Sequence, residues 1–285
     1  MNAESRFVTP RALVLSSLLA CASPSLAPAE VTSVTPSKDN TIYQIDPGYL
    51  SNGRGSWFFA GATAALEIRR ALVRFDLSQI PTNATIENVT VRLVPDRLSG
   101  PPSPISLHAL TADWGEGNSN ANMQEGTGAT AEPGDATWTF AFYETVPWAI
   151  GGEFDPDVSA AATITLPIAT TFSGPGLVAD VQGWVRQPAT NFGWMLRGDE
   201  SRARSSVRFV SRDSANAANR PTLTVTYTVR DCAADFNRDG QADIFDYLDF
   251  VAAFSDEDPS ADFDNSGQVD LFDYLDFAAA FGQGC

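Results

Sequence analysis

Asp235-Phe-Asn-Arg-Asp-Gly-Gln-Ala-Asp-Ile-Phe-Asp246 sets oxygen-bearing side chains at alternate positions around one glycine. The pattern returns 27 residues later as Asp262-Phe-Asp-Asn-Ser-Gly-Gln-Val-Asp-Leu-Phe-Asp273. The chemistry that suits such a run is the binding of a hard cation. A calcium loop of this length takes oxygens from positions 1, 3, 5, 7 (a backbone carbonyl), often 9 through water, and 12, with glycine at 6 for the sharp turn. The first copy offers Asp235, Asn237, Asp239, the Gln241 carbonyl, Asp243 and Asp246, with Gly240 at the turn. The second offers Asp262, Asp264, Ser266, the Gln268 carbonyl, Asp270 and Asp273, with Gly267 at the turn. Positions 3 and 5 read Asn and Asp in one copy and Asp and Ser in the other, so both loops carry the same number of carboxylates. Two Ca2+ ions are the expectation.

Catalytic chemistry finds little footing. The one histidine, His108, lies in the alternating run Ile105-Ser-Leu-His-Ala-Leu110 and reads as a packed strand residue, with no nucleophile-elbow string to accompany it. Acidic pairs such as Asp113/Glu116 sit in Gly-rich stretches, where carboxylates are more often solvated or calcium-bound than catalytic.

The elements around the loops narrow the reading. Leu223-Thr-Val-Thr-Tyr-Thr-Val229 alternates like a half-buried strand and ends only a few residues before Asp235, which leaves no room for a helix entering the first loop. Each loop instead runs into one helix, Ile244–Phe254 and Leu271–Phe281, with the shared text DYLDF and then AAF. A duplicated loop and helix, with Asp at position 12 and no entering helix, resembles a dockerin. Cys232 and the Gly284-Cys285 ending resemble the GC-type dockerins of planctomycete bacteria. The resemblance covers 231–285 and implies a cohesin-like partner. In the best-known dockerins positions 10 and 11 are Ser-Thr and select the cohesin. Here they are Ile244-Phe245 and Leu271-Phe272, which implies a more apolar partner. Both helices are apolar nearly all round. One stripe, of Phe245, Leu248, Val251 and Ala252 or of Tyr247, Phe250 and Phe254, should form the core and leave the other as a partner surface.

Charge and cysteines fit this division. Residues 231–285 hold 14 acidic side chains and one basic one, out of a chain with net charge -17. The remainder is only mildly acidic, which argues against a nucleic-acid partner. Arg6 and Arg11, the apolar run from Ala12 to Ala20 and the small residues up to Ala27-Pro-Ala29 read as a secretory signal peptide over 1–29, too short to span a membrane. Leu18-Leu-Ala-Cys21 also resembles a lipobox, so acylation at Cys21 stands as a lesser alternative to simple secretion, with a secreted or cell-surface location either way. Cys232 and Cys285 then bracket the last module, and an oxidising compartment suggests a disulfide between them. No other stretch approaches the length of a transmembrane helix.

Residues 30–230 are read as mainly β. Strand-like runs fall at Thr41–Gln44, Ala71–Asp76, Thr85–Val94, Ile105–Leu110, Ala136–Phe140, Thr163–Leu166, Gly193–Arg197, Val207–Ser211 and Thr222–Val229, and only Leu177–Arg186 reads as helix. Many short strands separated by Gly, Pro, Asn and Ser clusters predict an antiparallel, jelly-roll-like β-sandwich. Arg69-Arg-Ala-Leu-Val-Arg-Phe-Asp-Leu-Ser-Gln-Ile-Pro81, Asp113-Trp-Gly-Glu116, Gly134-Asp-Ala-Thr-Trp138, Val181-Gln-Gly-Trp184, Asn191-Phe-Gly-Trp194 and Arg208-Phe-Val-Ser-Arg212 together resemble the DNRLRE-type domains. These include alginate-binding carbohydrate-binding modules, although a literal DNRLRE string is missing. The resemblance implies a β-sandwich and a polysaccharide ligand.

For that ligand, Trp114 and Trp148 stand out among the tryptophans because both sit in Gly-rich, loop-like contexts. Arg202 and Arg204 belong to an arginine-rich segment whose guanidinium forks would match the carboxylate or sulfate of an anionic glycan. Pairing of those arginines with nearby acids such as Asp199, Glu200 and Asp213 is an equally good reading. The expected function is a secreted, non-catalytic polysaccharide-binding protein with an accessory role in polysaccharide breakdown. A lyase or glycosidase on the same sandwich, and a structural surface or matrix protein, are the alternatives.

Overall fold

The computed structural model describes residues 29–229 and 232–284. The leader read over 1–29 lies outside the described residues but for its last residue, and Cys21 and Cys285 lie outside them too.

The protein is mainly β. In chain order the strands are β1 (Glu30–Val34), β2 (Pro36–Tyr43), β3 (Leu50–Ser51), β4 (Trp57–Ala62), β5 (Ile68–Phe75), β6 (Ala84–Leu93), β7 (Pro95–Leu98) and β8 (Ser103–Ala109). Then come β9 (Ala129–Thr130), β10 (Phe140–Phe142), β11 (Val146–Pro147), β12 (Ala160–Ile164) and β13 (Thr170–Ser173). Helix α1 (Pro175–Arg186) leads to β14 (Trp194–Gly198), β15 (Val207–Val210) and β16 (Thr222–Val229), and helices α2 (Ile244–Ser255) and α3 (Leu271–Gln283) follow. No helix among the described residues is long and apolar enough to cross a membrane.

Two antiparallel sheets carry most of the strands. One runs β1-β16-β6-β13; the other, larger and curled, runs β12-β8-β14-β5-β4-β15-β7, with β2 also paired to β5. The alternation of β16 explains its place. Leu223, Val225 and Tyr227 are buried while the intervening threonines are not, as a strand with one face on a core requires. Its central position between β1 and β6 satisfies both backbone edges. Inward residues of both sheets, such as Val89, Val91 and Val225 from one and Phe58, Val73, Leu107 and Trp194 from the other, share one core. Helix α1 closes it with Leu177, Val181, Trp184 and Val185, and Gln182 pins the helix to β6 by accepting from the Ile86 N–H and donating to the Ala84 carbonyl. The helix begins at Pro175, two residues before the expected start, because proline suits the first helical position.

Strand β5 is buried on both faces. Ala71, Val73 and Phe75 enter the shared core, whereas Leu72 joins a second one with Ile42, Trp114, Trp138, Trp148 and Met195. The long stretch between β8 and β12 folds over the outer face of the larger sheet and supplies most of that second core. This corrects the strand expected at Ala136–Phe140: Ala136, Thr137 and Trp138 are buried there as loop residues, and the local strand is β10.

Candidate functional site

In both expected calcium loops the chain curls around its own carboxylates. Position 12 opens each helix. Asp246 and Asp273 are fully buried at the third position of α2 and α3. Asp246 accepts the Asn237 and Asp243 N–H groups at 3.0 and 2.8 Å. Asp273 accepts those of Phe263, Asp264 and Asp270 at 2.7, 3.1 and 2.7 Å. The backbone N–H groups of Asp270 and Asp264 hold the Asp273 carboxyl below its ordinary range.

Position 1 closes the turn: Asp235 accepts from Asp239 and Gly240, and Asp262 from Gly267. Position 6 needs glycine in both copies, with φ of 93° at Gly240 and 88° at Gly267. Position 4 repeats the left-handed conformation at Arg238 and Asn265.

Three carboxylates converge in each loop. They are Asp235, Asp239 and Asp246 in the first and Asp262, Asp264 and Asp273 in the second, with one oxygen from each lying within 4.8 Å of the others. The third member comes from position 5 in one copy and position 3 in the other, following the Asn/Asp and Asp/Ser exchange. Asn237 and Ser266 take the remaining place; Asn237 accepts from the Asp239 N–H, and Ser266 donates to the Gln268 carbonyl at 3.3 Å. Gln241 donates its backbone N–H to Asp239. Asp243 and Asp270 serve as N-caps for α2 and α3, each accepting a helix N–H at 2.8 Å, so position 9 has a structural task as well. One oxygen has no partner: Oδ1 of Asp262 is buried without a hydrogen bond. A buried carboxylate oxygen left so is costly, and a cation inside the loop would satisfy it. These donor sets, all oxygen with three carboxylates each, fit Ca2+.

The two helices pack through Phe250, Ala261 and Phe277, with Tyr247, Val251, Phe254, Tyr274 and Phe281 around them. The Tyr247, Phe250 and Phe254 stripe is thus the inner one, joined by Val251 from the other stripe. Ile244, Phe245, Leu248, Leu271, Phe272 and Leu275 are all more than half exposed. Cys232 is disulfide-bonded, while the partner expected for it, Cys285, lies outside the described residues.

The expected sugar platforms need correction. Trp114 and Trp148 are buried in the second core, their indole N–H groups donating to the Phe192 and Thr137 carbonyls at 2.9 and 3.1 Å. Neither ring has a face left for a ligand, because the Gly-rich segments that carry them cover the sheet instead of projecting from it. Of the six tryptophans only Trp57 is not buried, and Arg208 stacks over it at 4.1 Å.

The arginines divide. Arg70 and Arg197 both grip Glu200, and Arg212 donates to both oxygens of Glu116 at 2.7 Å. Although burial opposes its ionisation, the two guanidinium partners bring Glu200 down to about 2. Arg202 pairs with Asp199 at 3.3 Å and donates to Ser103 and the Pro102 carbonyl, the internal pairing that is its other reading. Arg204 is exposed and makes no side-chain hydrogen bond or ion pair among the described residues. It lines an open groove of about 340 Å³ with Arg69, Arg97 and Arg208, over a floor that includes Phe59 and Leu98. Arg69 and Arg97 lie far from Arg204 in sequence, and the pairings of β15 with β4 and β7 and of β4 with β5 bring them together.

Asp39, Glu116 and Asp213 form a third acidic cluster, but the Arg212 guanidinium sits on Glu116 and the Arg212 N–H on Asp39 at 2.7 Å. Burial raises the Asp39 carboxyl well above its usual range. His108 is the packed strand residue its context suggested, buried between Ser106 Oγ and the Asp155 carbonyl at 3.0 and 3.1 Å.

No protein-family model matches this chain, and no curated protein matches it.

Proposed function

We propose that the chain is a secreted, non-catalytic polysaccharide-binding protein, tethered to a cohesin-like partner by a calcium-loaded GC-type dockerin over 231–285. The observation that carries the reading is the matched pair of loops, each gathering three carboxylates with the buried position-12 aspartate among them, and with the orphaned Asp262 oxygen inside the second. Calcium would neutralise carboxylates that otherwise repel, and so couple ion binding to folding of the module. The exposed apolar residues at positions 10 and 11 of each loop supply a partner surface. The oxidised Cys232 supports an oxidising compartment.

For residues 30–230 the reading is a DNRLRE-type β-sandwich that binds an anionic polysaccharide. Two sheets sharing one core and the arginine-lined groove support it. The test uses the full chain in calcium against a panel of immobilised polysaccharides, with the supernatant assayed for new reducing ends and unsaturated products. Capture without product is expected. Product formation would move the assignment to an enzyme, and failure to retain any polysaccharide would leave a structural surface protein.

A further inference from the structure

We infer that the groove formed by Arg97, Arg204 and Arg208 takes a sulfate ester, so that the polysaccharide is a sulfated one; this rests on the glycan-binding reading above. Arg97 and Arg208 donate to the same neutral acceptor, Oε1 of Gln124, at 3.3 and 2.7 Å. Two guanidinium groups sharing one amide oxygen are held close together. Arg208 has one acid, Asp96, on its fork at 2.6 and 2.9 Å. Arg97 has no ion pair among the described residues, and Arg204 has neither ion pair nor side-chain hydrogen bond. Arg69, which also lines the groove, spends its donors on the Gly126 and Glu67 carbonyls and pairs with the Glu67 carboxylate at 3.8 Å. The groove therefore carries excess positive charge on a chain whose net charge is -17. Arg204 holds a left-handed backbone, φ 60°, which a non-glycine residue adopts at a cost and which often marks a functional position.

The choice of sulfate over carboxylate follows from how the donors are arranged. A carboxylate offers only two oxygens, enough for one guanidinium fork, as Asp96 shows on Arg208, or for two, as Glu200 shows with Arg70 and Arg197. The donors left over reach the groove from separate places, Arg97 on β7 and Arg204 on the turn before β15, with Ser99 and Ser206 also lining it. A group that engages several of them at once needs acceptors pointing in more than two directions. A sulfate ester presents three terminal oxygens in a tripod.

The test is affinity electrophoresis of the full-length, calcium-loaded protein in gels containing dextran sulfate, alginate or unsubstituted dextran, at about 0.15 M salt to suppress non-specific attraction. Dextran sulfate should retard the protein, dextran should not, and alginate should bind at least about tenfold more weakly. Arg204→Gly relieves the left-handed backbone, so its melting temperature should hold or rise while dextran sulfate affinity falls about tenfold. Arg97→Gln should weaken binding similarly, and Arg186→Gln, at the exposed end of α1, should leave it unchanged. Alginate binding as tight as dextran sulfate would overturn the sulfate assignment but keep the glycan-binding reading. Losses in Arg204→Gly and Arg97→Gln no larger than in Arg186→Gln would overturn the groove as the site. Absence of binding to every polysaccharide tested would remove the glycan-binding reading itself, and this inference with it.

Discussion

Phe250 and Phe277 stack face to face, their ring centroids 3.9 Å apart and their planes within 7° of parallel, and they occupy the same position in repeats 27 residues apart. Other contacts come in matched pairs around them. Phe236–Phe277 and Phe263–Phe250 both lie at 6.2 Å, Tyr247–Phe281 and Tyr274–Phe254 at 5.7 and 5.9 Å, and the Tyr247 and Tyr274 hydroxyls meet at 2.8 Å. A pseudo-twofold axis passes through the stack. Phe277→Ala should destabilise the module by about 3–5 kcal/mol, because a fully buried ring leaves a cavity its neighbours cannot fill. Phe272→Ala, 66% exposed, should change it by less than about 0.5 kcal/mol. Calcium-saturated thermal unfolding followed by helix circular dichroism measures both.

Calcium titration by calorimetry should saturate at two ions per chain. Asp246→Ala and Asp273→Ala should each leave one, since position 12 organises its loop through two or three backbone N–H groups and normally supplies two calcium oxygens. Chelator should reduce helix content and calcium should restore it. A single ion at saturation in the unaltered chain would dismiss the two-site reading.

The proposed partner surface can be separated from the proposed cation sites, since Phe245 and Phe272 are exposed while three carboxylates of each loop converge on one another. The double variant Phe245→Asp with Phe272→Asp should keep both ions and the helix signal. Its capture of a cohesin-like partner should fall by at least a hundredfold, the effect of removing two large apolar anchors of about 1.5–3 kcal/mol each. Undiminished capture would exclude this surface.

Glu200 makes stability depend on acid. Its folded value of about 2 lies below the ordinary 4.5, so the charged form is favoured by folding. The contribution is fully present above the ordinary value and is lost as pH falls through that window toward 2. Discounted for partial solvent access, it amounts to roughly 2 kcal/mol. Glu200→Gln should flatten the decline of denaturation midpoint between pH 5 and pH 3, measured by urea unfolding at each pH. It should also lower the midpoint at pH 7, where Arg70 loses its partner.

The candidate cation loops were legible from the chain because every candidate oxygen of a loop lies within twelve consecutive residues. Ligand spacing, the turn glycine and the N-cap are local rules, and local rules survive translation from sequence to structure. The strands of Thr222–Val229 and Thr85–Val94 were visible for the same reason, as one buried face imposes period-two alternation. Strand β4, Trp-Phe-Phe-Ala-Gly-Ala, shows no such alternation, since almost all of it is buried.

Tertiary structure alone decided the rest of the candidate surface. Trp114 and Trp148 sit among glycines that suggested exposed loops, yet those loops cover the outer face of β5 and bury both rings. Arg202 and Arg204 are two residues apart and chemically equivalent, but one turns to Asp199 and Ser103 while the other is left free on the groove. The sequence alone determined which atoms could hold a cation, because chain connectivity fixes distances inside a short loop. Which arginine is free depends on what lies opposite it, and that is set by strand pairings joining residues more than a hundred positions apart.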